Sequence, residues 1–271
     1  LASPMPESWT NVLATAAAGA ALGWLSCRWW MSSARTLKRQ QEHMRKLSLE
    51  RAADTSMGEA AITCWADRPF PINRSDTALV LIDMQTDFLC DIGRVGQHYD
   101  GAKLARMQQT ITSVERLLKA CRAAGLTIAH SRSHRYGAKV LPDLVHPLDE
   151  NYDLHPQVRA LPGEIVVDKF TFGAFASTEL EQRLRERGVK RILLGGVLTN
   201  VCVFATAVQA VDRFFRVCLV EDACAAFSDE WHKKAVSLIH EPQSDKQAHH
   251  KSCGLYFGEV ASVETVEKAL A

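Results

Sequence analysis

Cys202 lies in the stretch KRILLGGVLTNVCVFATAVQAVDRF, residues 190 to 214. The pattern predicts a buried strand over 192–197, a glycine-containing turn, and a helix over 201–214 with the cysteine in its first turn. A cysteine attacks only as its thiolate. The unpaired N–H groups and positive dipole end of a first helical turn both favour a negative sulfur. The position therefore suits a nucleophile, although a small buried hydrophobe is the commonest fate of a free cysteine.

Two other segments offer groups that a thiol nucleophile needs. In TALVLIDMQTDFL, residues 77 to 89, Ala78 to Ile82 reads as a buried parallel strand and Asp83 ends it. A carboxylate at such a strand end needs a partner or a job, because burying an isolated charge is costly. A helix cap or a loop ion pair would serve it equally well. In PGEIVVDKFTFGAF, residues 162 to 175, Glu164 to Val167 reads as another strand with Lys169 just past its end. That lysine can hold a thiolate, orient a carboxylate or face charge developing on a carbonyl oxygen, whereas most lysines are simply solvated. Ligand crevices of open α/β sheets lie at such strand ends. Cysteine catalysis asks for this combination: a group to take the proton and a cation to favour the thiolate.

With LIDMQTDF (81–88), DKFTFGAF (168–175) and GGVLTNVCV (195–203) in this order and spacing, the chain resembles the isochorismatase-like cysteine hydrolases from about Thr77 to its end. That group includes ureidoacrylate and biuret hydrolases, N-carbamoylsarcosine amidase and nicotinamidases. The resemblance implies that Asp83 is the general acid/base, that Lys169 bridges acid and nucleophile, and that Cys202 attacks an amide carbonyl to form a thioester. It implies an oxyanion hole from the backbone N–H groups of Leu198 and Cys202, and a cis peptide between Val197 and Leu198. It further implies a homo-oligomer and a small amide or ureido substrate. Phe88, Phe172 and Phe175 are candidate pocket walls, with ordinary core packing as the alternative. A vinyl-ether hydrolase like isochorismatase itself is disfavoured, because members with that activity lack the cysteine. A non-catalytic, membrane-tethered member is the remaining alternative.

The composition agrees with a globular enzyme. The chain has 271 residues, 47% hydrophobic and 23% charged, with a net charge of +1, so nothing points to nucleic acid. Eight cysteines form no C-x-x-C pair, and a reducing intracellular compartment suits a thiol enzyme better than a disulfide framework does. No cofactor is expected. Residues 1–57 read as an extension and 58–271 as the hydrolase domain. Within the extension, residues 12–31 are apolar with a Trp29–Trp30 edge, and Arg35, Lys38 and Arg39 follow. This is the pattern of a short membrane anchor with the catalytic domain on the cytosolic side, or of an organelle-targeting segment. Residues 35–56 read as a charged helix.

From Thr77 onward strands and helices alternate, which predicts an α/β three-layer sandwich with a parallel sheet. Expected helices cover 103–124, stopped by Gly125; 178–187, opened by a Thr178–Glu181 capping box; 229–239, capped by Ser228; and 263–270. Expected strands cover 126–130, 217–220 and 255–257. The family resemblance adds six strands in the order 3-2-1-4-5-6. The long connection 131–162 and the polar insertion 241–251 stand out. His130, His134, His146 and His155 lack the D-x-H pattern of zinc-holding nicotinamidases, and His249, His250 and Cys253 form no supported cluster, so no metal is expected.

Overall fold

The computed structural model describes residues 35–51, 58–93, 95–134, 151–240 and 257–271. The chain divides into two compact units, Leu1–Asp54 and Thr55–Ala271. The described part of the first is helix α1, residues 35–51, with mostly exposed side chains and a Lys46–Glu50 pair at 3.8 Å. Among the described residues no helix is long and apolar enough to cross a membrane. The apolar segment 12–31 and the insertion 241–251 lie outside the described residues.

The second unit is built on a six-stranded parallel sheet. Its strands are β3 (Thr77–Ile82), β4 (Thr127–Ser133), β5 (Ile165–Lys169), β6 (Arg191–Val197), β7 (Arg216–Ala225) and β8 (Glu259–Ala261). They lie in the order β5-β4-β3-β6-β7-β8, which counted from Thr77 is 3-2-1-4-5-6. β3 sits between β4 and β6 and is buried along its whole length. A strand covered on both faces can be a continuous apolar run, and TALVLI is one.

Side-chain alternation along β3 sorts the core into two layers. Leu79 and Leu81 join one cluster with Met107, Val114 and Leu118 of α3 (Gly101–Ala123) and Val266 and Leu270 of α7 (Val263–Leu270). Ala78, Val80 and Ile82 join the other. There they meet Leu180 and Leu184 of α4 (Leu180–Glu186), Ala207 and Ala210 of α5 (Phe204–Asp212), and Val236 and Ile239 of α6 (Asp229–His240). The result is an αβα sandwich. Local chemistry sets the helix ends. The Asp100 side chain accepts from the Lys103 N–H at 2.8 Å, Gly125 stops α3 at φ +73°, and Ser262 forms a capping box with Thr265.

Several elements differ from the sequence expectation. An antiparallel hairpin of β1 (Ala60–Thr63) and β2 (Pro69–Ile72) precedes the sheet and adds Ile62 and Phe70 to the first core layer. A short helix α2 (Thr86–Leu89) follows the Asp83 loop. The Thr178–Glu181 capping box does not form. Thr178 accepts from the Leu180 N–H at 3.0 Å, while Glu181 pairs with Arg213 at 3.0 Å. β7 runs on to Ala225 because its acidic pair has partners: Glu221 accepts from the Trp65 indole and Asp222 from the Val263 N–H. The last described strand is Glu259–Ala261, held to Cys218–Val220 of β7; of the expected strand 255–257 only Phe257 lies among the described residues, and it is outside any strand.

Gly195 and Gly196 lie in β6, not in a turn after it. Gly196 has φ +117°, and a Cβ there would overlap the backbone of Ile82. It therefore lets β6 approach the end of β3, where Asp83 begins. Gly196→Ala in the full chain is expected to lower the urea-unfolding free energy by about 2–5 kcal/mol, from strained φ and overpacking together. An unchanged midpoint would contradict this close approach.

Candidate active site

Asp83 is the first residue past β3. Its backbone has φ +52°, a left-handed conformation that Asp tolerates better than most residues. Its N–H donates to the Ser131 carbonyl at 3.1 Å, and the side chain is 2% exposed. The Ser131 hydroxyl donates to Asp83 Oδ1 at 2.8 Å and accepts from the Asp83 N–H at 3.3 Å.

Lys169 is the last residue of β5, not a loop residue beyond it, and its side chain is fully buried. Its Nζ stands 2.7 Å from Asp83 Oδ2, 3.1 Å from the Thr171 carbonyl and 3.5 Å from Cys202 Sγ. An ammonium has three protons to donate, and it meets three acceptors here. A buried cation is tolerable only when it is matched in this way.

Cys202 lies in a π-helical turn, Thr199–Val203, which precedes α5, rather than in the first turn of an α-helix. The Leu198 carbonyl accepts from both Val201 N–H (3.0 Å) and Val203 N–H (3.2 Å), which widens the turn. The Val197–Leu198 peptide is cis. The expectation of a favoured thiolate rested on an α-helical first turn, which this π-helical turn replaces. Burial, then the charge of Asp83, pushes the Cys202 thiol up to about 12, and Lys169 only partly offsets them.

The surrounding residues hold these three in place. Thr206 of α5 donates to the Cys202 carbonyl at 2.6 Å and accepts from the Ala174 N–H at 3.1 Å, which ties the Cys202 turn to the loop after Lys169. Gln209 accepts from the Phe175 N–H at 3.0 Å. Gln85 accepts from the Ser133 N–H at 2.7 Å and donates to the Tyr152 carbonyl at 2.6 Å. Residues 151–155 bind the Asp83 loop further, through Thr86 N–H to the Asp153 carbonyl and His155 N–H to the Met84 carbonyl. Sequence reasoning missed Ser131, Thr206 and Gln209. The available signal for the last two was their i+4 and i+7 spacing from Cys202.

The remaining candidates have the following surroundings. Phe175 is a core residue, its ring 5.6 Å from that of Phe215. Phe88 packs against the first core layer, and Phe172 is 44% exposed. His130 is buried against Glu164 at 3.0 Å, His134 stacks near Phe170, and His155 accepts from the Gln157 N–H. Among the described residues no group of three His, Cys, Asp or Glu side chains is arranged to hold a metal ion. His146, His249, His250 and Cys253 lie outside them.

A family model described as the isochorismatase domain matches residues 77–249, well over half of the chain. The chain belongs to the isochorismatase family. Among its relatives, the uncharacterized isochorismatase family protein YecD of Escherichia coli O157:H7 is 32% identical over 178 residues, covering 62% of this chain and 90% of that protein. The ureidoacrylate amidohydrolase RutB of Variovorax paradoxus is 26% identical over 182 residues, covering 57% of this chain and 71% of that one. The crystal structure of N-carbamoylsarcosine amidase from Thermoplasma acidophilum aligns with a TM-score of 0.56 at 22% identity, over 70% of this chain and 97% of that chain. At that identity the likeness speaks for the fold alone.

The causes of the raised thiol pKa can be tested one at a time. Asp83→Asn removes a negative charge that raises it. The Cys202 ionisation midpoint, read by thiolate ultraviolet absorbance against a Cys202→Ser blank, is expected to fall by at least about one pH unit. Lys169→Met is expected to move it the other way. A midpoint indifferent to Asp83→Asn would remove Asp83 as the partner of the thiol.

Proposed function

We propose that residues 58–271 form a cysteine-dependent amidohydrolase that cleaves a small non-peptide amide or ureido C–N bond. The observation that carries this reading is the convergence of two buried charges and a half-buried thiol on one point: Lys169 Nζ is 2.7 Å from Asp83 and 3.5 Å from the sulfur of Cys202. A thiol, a carboxylate and an ammonium in contact are the parts of nucleophilic acyl transfer.

The reaction follows from the protonation states. The Cys202 proton moves to Asp83 as the sulfur attacks the substrate carbonyl carbon, and the new thiolate charge is met by Lys169. The carbonyl oxygen takes up negative charge, which the backbone N–H groups of Leu198 and Cys202 receive. Asp83 returns the proton to the leaving nitrogen, so ammonia or an amine departs and a thioester remains on Cys202. Water then attacks the thioester, Asp83 takes a proton from it, and the acid product leaves with the thiol restored. Because the thiol rests protonated, proton transfer to Asp83 accompanies attack instead of preceding it.

The ureidoacrylate amidohydrolase among the relatives is named for a substrate with a carbonyl between nitrogens, which supports a ureido or carbamoyl group in the substrate. Free thiols at the six described cysteines suit a reducing surrounding.

The test is ammonia release by the full chain from biuret, ureidoacrylate, N-carbamoyl amino acids, nicotinamide and simple aliphatic amides. Release is expected from at least one ureido or carbamoyl compound. Cys202→Ser and Asp83→Asn should abolish it, and Lys169→Ala should cost about two to four orders of magnitude. Near-wild-type turnover in any of the three variants would contradict the assignment.

A further inference from the structure

The β3–β4 register sets Ile82 opposite Ser131, so the residue after Ile82 emerges beside the Ser131 side chain. Ser131 is fully buried. Its hydroxyl oxygen accepts from the Asp83 N–H, and its single proton goes to Asp83 Oδ1 at 2.8 Å. With the backbone N–H already donating to that oxygen, the hydroxyl is committed as a donor to the carboxylate. Lys169 holds the other oxygen, Oδ2. The two carboxylate oxygens are therefore held by donors of different kinds. One is a cation that also faces the sulfur at 3.5 Å, and the other is a neutral hydroxyl that touches Asp83 at two atoms.

We propose that Ser131 is a positioning residue for the acid–base chemistry of Asp83, a role that rests on the reading of Asp83 as the acceptor of the Cys202 proton. When the thiolate forms, the Lys169 ammonium is drawn toward the sulfur and its hold on Asp83 weakens. Ser131 does not share that conflict. It keeps the carboxylate plane fixed while the proton arrives and again while it leaves. The titratable groups facing Asp83 are Lys169 from β5 and Cys202 from the π-helical turn; β4 contributes the Ser131 hydroxyl.

The experiment follows the rate of Cys202 alkylation by iodoacetamide against pH in the full chain, with the site of labelling located by mass spectrometry. Wild type, Ser131→Ala, Ser131→Thr and Asp83→Asn are compared, each checked for cooperative thermal unfolding. A carboxylate that loses its fixed donor no longer meets the thiol proton in one orientation, so the alkylation rate of Ser131→Ala at neutral pH should fall by about tenfold or more. Ser131→Thr, which keeps the hydroxyl, should restore it. A Ser131→Ala rate equal to or above wild type across the profile, while Asp83→Asn reshapes the profile, overturns this proposal alone. A profile indifferent to Asp83→Asn overturns the acid–base reading of Asp83 and this proposal with it.

Discussion

The ion pair between Lys169 and Asp83, 2.7 Å long and closed to solvent, is the constraint on which the rest of the site depends. Removing both charges from water costs several kcal/mol per ion, and the pair is tolerable only if its remaining lone pairs and protons find partners. The ammonium reaches the Thr171 carbonyl and the Cys202 sulfur, and Ser131 donates to Asp83 Oδ1. Asp83 Oδ2 meets Lys169 as an ion pair without a hydrogen bond of its own. A buried pair is weak evidence for stability, and its place at strand ends is what makes it a candidate for chemistry.

The fold places this pair at the ends of two strands with β4 between them. β3, β4 and β6 are adjacent in the sheet, so Asp83, Ser131 and the Cys202 turn emerge side by side, while Lys169 reaches in from the edge strand β5. Gly196 gives β6 its close approach to β3, and Thr206 with Gln209 anchors the loop after Lys169 to α5. The electrostatic consequence is a raised thiol pKa, because burial and the charge of Asp83 outweigh Lys169.

Much of this was legible in the chain. The apolar run ending in Asp83, the lysine after IVVD and the cysteine after two glycines follow from strand chemistry and spacing, and the alternation of strands and helices from Thr77 onward gives the layer order. What escaped depends on contacts that a linear reading does not contain. Ser131 becomes a partner of Asp83 only through the β3–β4 register. The π-helical turn is set by a carbonyl of Leu198 that accepts twice. The β1–β2 hairpin hides behind Pro69 and Pro71, which weaken a strand signal. Glu221 and Asp222 read as the end of a strand because their partners, Trp65 and Val263, are far away in sequence.

The central claim is a covalent intermediate on Cys202. The most direct measurement is the intact mass of the protein quenched in acid during turnover of a ureido or carbamoyl compound, followed by peptide mapping. The account predicts an added acyl mass on the peptide that carries Cys202, absent in Cys202→Ser and dispersed when substrate is exhausted. Turnover that proceeds with no adduct at any quench time, and that survives Cys202→Ser, would contradict it.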